Sequence, residues 1–236
     1  MTFEVLPVLD AMIALYQEPA SPARFEHYLR LMLNDSRDDI VLPIGAYNPM
    51  AKPHVLEQLL RLRDLQAEPV MREAIAAENA QCADLLEQGI FFVSLVLADD
   101  LMGGWTNRYT TDYSSKFETE ALLKRHFVTP YCWSSEIADA ELIRSRTKAA
   151  MIRAAYQLSH PTAITLEHHI EQEAYVQAAS GKNDLLDKLS DTARKYYHRY
   201  KESEEHSRIL AFLYGDNAAL QLGYEPVGGE HKGVLI

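Results

Sequence analysis

Apolar residues recur at helical spacing from the start of the chain. Val5, Leu9, Met12 and Tyr16 share one face, and Phe25, Tyr28, Leu29 and Met32 repeat the pattern. Ser21 before Pro22 supplies a capping oxygen followed by a fixed φ, a common way to start a helix. Together they predict a helical hairpin over about residues 1–35.

Beyond the polar turn 34–39 the period changes. The run Ile40-Val41-Leu42-Pro43-Ile44-Gly45 is short and apolar and reads as a strand, placed at a sheet edge by its proline. A helix is expected from about His54, with Val55, Leu56, Leu59, Leu60 and Leu62 as its stripe, and another from Pro69 that carries its stripe through Leu85 and Leu86 to Gly89. Glu78 and Asn79 interrupt that stripe. The clearest strand is Ile90 to Ala98, apolar on both faces, rich in β-branched and aromatic residues and bounded by Gly89 and Asp99-Asp100.

A third strand is expected over His126 to Trp133, preceded by a helix near Glu118 to Lys124. Ser134-Ser135-Glu136 then starts a helix striped by Ile143, Thr147, Ala150, Met151, Ala154 and Leu158. Further helices are expected from Thr165, through Leu185, Leu186, Leu189, Ala193, Tyr196 and Tyr197, and over Ile209 to Tyr214. A Gly-rich tail covers about 215–236. Strands alternating with helices imply right-handed crossovers, hence an α/β fold: a helix-rich single domain, residues 1–236, with a small, mostly parallel central sheet flanked by helices. The alternative is an all-α bundle in which the three apolar runs are buried helix segments.

With 47% hydrophobic and 24% charged residues, the 236-residue chain has ordinary globular composition. Its net charge of −11 is spread along the chain and repels phosphate backbones and anionic bilayers, which argues against nucleic-acid and membrane partners. Cys82 and Cys132 form no CxxC pair and read as buried free thiols. Glu4 and Asp10 stand where a signal peptide would carry basic residues, so a cytoplasmic location is expected.

Ligands of parallel sheets bind beyond the carboxyl ends of the strands, where loops and helix N-termini converge. The segment after the second strand is the richest there. Asp99 or Asp100 is the candidate base or metal ligand, and Gly103 and Gly104 allow close backbone approach. Trp105 adds an indole, while Asn107 and Arg108 are placed to hold an anionic or carbonyl group. The competing structural reading is a surface turn in which an aspartate caps a helix and Trp105 plugs the core. Asn48 follows the first expected strand as a helix cap or ligand-binding amide, with Lys52 nearby; Ser135 and Glu136 follow the third.

His168, His169 and Glu173 could form a half-site for a divalent metal, since His169 and Glu173 lie one helical turn apart. Yet HExxH is absent, and no Glu stands three positions before any histidine. That favours a solvated cluster at a helix start, and Glu202, Glu205 and His206 read the same way. Phosphate-loop, dinucleotide and nucleophile-elbow motifs are also absent.

The sequence thus supports a small-molecule binder or enzyme of hydrolase or lyase type for a small polar or anionic substrate. Two alternatives differ in class. One is a non-catalytic, helical, homodimeric interaction protein using Trp105, Tyr109 and Tyr113, and the other is a helical metal protein centred on His168 and His169.

Overall fold

A computed structural model describes residues 1–82, 89–101, 107–181 and 189–228. Its first element is a strand, β1 (Thr2–Val5), in which Phe3 is buried while Thr2 and Glu4 face out. Four helices follow, α1 (Leu9–Gln17), α2 (Pro22–Met32), α3 (Pro53–Asp64) and α4 (Ala67–Cys82). The chain then enters β2 (Ile90–Val93) and β3 (Val96–Ala98), crosses through α5 (Arg108–Phe117) and α6 (Glu120–Leu123), and returns as β4 (Phe127–Val128) and β5 (Tyr131–Trp133). The remaining helices are α7 (Ala140–Ser159), α8 (Leu166–Ala179), α9 (Asp191–Tyr200), α10 (His206–Tyr214) and α11 (Asp216–Gln221).

The fold is α/β. Every strand pairing among the described residues is parallel: β1 and β4 flank β2, and β3 pairs with β5. The expected strand from Ile90 to Ala98 is present but interrupted at Ser94-Leu95, opposite a matching interruption at Thr129-Pro130. Ser94 N still donates to Val128 O at 3.0 Å and Val96 N to Pro130 O at 3.0 Å, so the ribbon continues with a defect where proline has no N–H to give. The buried Tyr47 hydroxyl donates to Leu95 O at 2.7 Å at that defect.

Two expectations are corrected. The hairpin expected over 1–35 begins as a strand: Val5 and Leu9 do have helical spacing, but Pro7 lies between them and α1 starts only at Leu9. The outer backbone of β1 is satisfied by Asn79 of α4, which accepts from Phe3 N at 2.9 Å and donates to Phe3 O at 3.0 Å. Glu68 Oε1 accepts from Val8 N and Leu9 N, supplying the cap that α1 lacks.

The expected strand at 40–45 is not one. Ile40 makes a single antiparallel bridge to Leu33, and the rest bends around Ile44, which is fully buried and receives the Tyr28 hydroxyl on its carbonyl. The apolar residues there serve packing, not a ladder. The tail beginning at 215 opens with α11, for which Gly215 at φ 78° makes the turn. The stretches holding Leu85, Leu86, Leu185 and Leu186 lie outside the described residues.

The buried apolar side chains of the described residues form two clusters. One gathers β1 to β5 with α1, α3, α4 and the inner face of α7; the other gathers α5, α8, α9, α10 and α11. No helix among the described residues is long and apolar enough to cross a membrane.

Candidate functional site

The face of α7 bearing Arg146, Ala149, Ala150 and Arg153 follows the i, i+3, i+4, i+7 rule, with cations where an apolar stripe would continue. Helix α5 does the same with Asp112 and Lys116, and α8 with Glu173 and Val176. These faces enclose a cavity of about 610 Å³ beside β5, at the boundary of the two apolar clusters. Thr129 and Pro130 from the strand break line it, and Tyr214 of α10 closes one side. The small side chains of Ala149 and Ala150 leave the space open.

Among the described residues its lining carries four cations, Arg108, Lys116, Arg146 and Arg153, and four carboxylates, Asp100, Asp112, Glu136 and Glu173. At depth, Arg153 donates from Nε and Nη2 to the two oxygens of Glu173, at 2.7 Å each. Lys116 Nζ lies 2.6 Å from Asp112 Oδ2, which also accepts the Tyr214 hydroxyl at 2.8 Å. At the rim, Arg146 grips both oxygens of Glu136, at 2.6 and 2.8 Å. Arg108 bridges Asp100 at 2.6 Å and Glu136 at 2.9 Å, with its guanidinium 4.4 Å from the Trp133 ring centroid.

Burial pushes the carboxyl groups of Asp100, Asp112, Glu136 and Glu173 upward, but their cationic and hydroxyl partners outweigh it and hold all four below the usual range. Burial lowers Lys116 below an ordinary lysine even though Asp112 pulls the other way. It raises the phenols of Tyr131, to about 12, and of Tyr214. Among the described lining groups with a displaced pKa, Lys116 is the one shifted toward neutral pH.

Asp99 and Asp100 divide two tasks. Asp99 is buried and accepts from Ser134 Oγ at 2.6 Å, His54 Nε2 at 2.8 Å and Leu101 N at 3.2 Å, clasping the ends of β3, β5 and α3. Those bonds outweigh burial and keep it ionised. Asp100 stands at the cavity rim, accepting from Ser135 N at 2.9 Å and Ser135 Oγ at 2.7 Å as well as from Arg108. A carboxylate held so firmly as an anion is a poor base; it orients Arg108.

Of the residues singled out in the sequence, Asp100, Arg108, Ser135 and Glu136 meet at the cavity. Asp99 sits behind them. Asn107 caps α5 instead, its Oδ1 accepting from Tyr109 N and Thr110 N. Asn48 does not line the cavity and accepts from Met50 N within its own turn, while α3 begins after Lys52 without a side-chain cap. Gly103, Gly104 and Trp105 lie outside the described residues.

His168 is exposed in the capping box of α8 with Thr165. Buried His169 uses both ring nitrogens: Nδ1 donates to Thr165 O at 2.6 Å, so Nε2 accepts the Tyr113 hydroxyl at 2.8 Å. Glu173 is committed to Arg153. Among the described residues no group of three or more His, Cys, Asp and Glu side chains could hold a metal ion. Tyr113 is buried, so it takes no part in the exposed aromatic surface expected with Trp105 and Tyr109.

Sequence reasoning missed Asp112, Lys116, Arg146, Arg153 and Tyr214. A signal was present: Arg146 and Arg153 lie seven residues apart on a helix that is apolar on its neighbouring face, a spacing that holds charges on one inward line. No protein-family model, curated protein or solved structure matches this chain.

Proposed function

We propose that this chain binds a small polar, charged molecule in the cavity alongside β5, whose rim holds Asp100, Ser135 and Glu136 from just after β3 and β5. One observation carries the reading: among the described residues, four cations and four carboxylates are arranged around an open volume. Apolar side chains of similar size would serve stability as well or better than buried ion pairs, and they would fill the space. A cavity of this size with a few convergent polar groups is typical of a ligand site. The buried free thiol of Cys132 accords with a reducing, cytoplasmic setting.

Where the site carries out a reaction, Lys116 is the acid–base group that this reading favours, in place of Asp99 or Asp100. Its pKa is lowered by burial, and only 14% of its side-chain surface is exposed. An amine whose pKa burial lowers suits proton abstraction better than an ordinary lysine, which places the lyase alternative above the hydrolase.

A thermal-shift screen of small charged metabolites tests the binding reading. Wild type is expected to show saturable stabilisation by at least one class, and Ala149→Trp, which fills the cavity, is expected to keep the fold and lose the shift. Equal shifts in wild type and the filled variant would place binding elsewhere and end the proposal.

A further inference from the structure

The hydrogen bonds around the cavity are almost closed upon themselves. Arg108 and Arg146 spend their terminal nitrogens on Asp100, Glu136, Ser135 and the Tyr131 carbonyl. Glu136 accepts on both oxygens from the two arginines, with Trp133 N added on Oε2. Both oxygens of Glu173 are taken by Arg153.

Arg153 Nη1 and Asp112 Oδ1, at depth, are left outside these bonds. Arg153 uses Nε and Nη2, and its Nη1 donates to no described residue, although the side chain is nine-tenths buried. Asp112 accepts Lys116 and Tyr214 on Oδ2, and its Oδ1 accepts from no described residue. Neither atom is among the sealed, unpaired polar atoms of the interior, and both residues line the cavity. Arg153 feels the charge of Asp112 without forming an ion pair with it.

Resting on the cavity reading above, we infer that the ligand is a small zwitterion, its ammonium received by Asp112 Oδ1 and its carboxylate or phosphate by Arg153 Nη1. The two charges of such a ligand answer the Asp112 acceptor and the Arg153 donor, one each. A plain anion would leave the carboxylate acceptor desolvated and unmatched, and a plain amine would do the same to the guanidinium donor. Leaving a buried charged group unmatched costs more than any one contact returns, so each half-ligand is selected against.

The probes are free α-amino acids and aminoalkyl phosphonates, each with its N-acetyl derivative. The amino acids are also tested as carboxamides, and inorganic phosphate and alkylamines complete the set. All are titrated calorimetrically into the full chain. The expected result is binding of one zwitterion series, with affinity falling at least about tenfold when either end is blocked, because a charged hydrogen bond is lost and its partner stranded. The series that binds tells carboxylate from phosphate. Asp112→Asn is expected to abolish the difference between free and N-acetylated forms, and Arg153→Lys to weaken the zwitterion. The ligand-side comparison stands even where a variant fails to fold.

Blocked and free forms binding equally, or phosphate or an alkylamine binding at least as tightly as every zwitterion, overturns the inference while the cavity remains a ligand site. Binding by none of the probes overturns this inference but leaves the broader screen to judge the cavity.

Discussion

Arg153 and Glu173 meet across the α7–α8 packing as a two-point ion pair, both bonds 2.7 Å long, with 10% and 3% of their side-chain surfaces exposed. Removing one member strands the other in a low-dielectric interior. Arg153→Met or Glu173→Leu is therefore expected to cost about 3–5 kcal/mol, whereas the double variant recovers most of that loss. Urea denaturation of the four proteins closes the cycle, and additive losses would mean that the pair is not coupled.

Replacing Asp100 by Asn removes the charge that holds Arg108 against the rim. Ligand affinity is expected to drop about tenfold with the melting temperature little changed, since the amide can still accept from Ser135. A large fall in melting temperature with affinity intact would make the residue purely structural. Asn107→Ala provides the contrast: about 1 kcal/mol of stability lost with the α5 cap, and no change in affinity.

The sheet break depends on Tyr47. Tyr47→Phe leaves Leu95 O without the hydroxyl, and a buried carbonyl so exposed costs about 1–3 kcal/mol. Equilibrium unfolding measures it; a neutral result would show that the carbonyl finds another donor.

Acid sensitivity has two stages. Burial lowers the His169 pKa below 6.5, so the folded state holds it neutral while the unfolded chain takes up a proton. Its contribution is complete above pH 6.5 and is lost as pH falls through the lower, folded value. Glu173, depressed below 4.5 by Arg153 despite burial, repeats the pattern in the carboxylate range. Stability measured stepwise downward from pH 7.5 should decline first below pH 6.5, and His169→Gln should remove that first stage while leaving the second.

The fold was legible where burial and period coincide. Ile90 to Ala98, His126 to Trp133 and the stripes of α3, α7 and α10 announce themselves because most apolar residues there are core, although β2 turns Ile90 and Phe92 outward and is not covered on both faces as its composition suggested. β1 escaped because four residues give only two alternations, and Val5 sits by chance in register with Leu9. The run from Ile40 misled because apolar content marks burial of Ile44 and not pairing. Half of the site was visible in Asp100, Arg108, Ser135 and Glu136, which follow strands. The other half comes from helix faces, where Asp112, Lys116 and Arg153 look like solvated charges until α5, α7 and α8 are packed together. Nothing local in the sequence marks that packing.

The clasp made by His54, Asp99 and Ser134 bears on how the chain tolerates being rebuilt. It joins three segments directly, so the alignment of the strand tips does not depend on the length of the helical crossovers between them. Insertions, cuts or grafted modules placed midway along those crossovers are thus expected to spare the rim, whereas a one-residue deletion within Asp99-Asp100 would misalign it entirely.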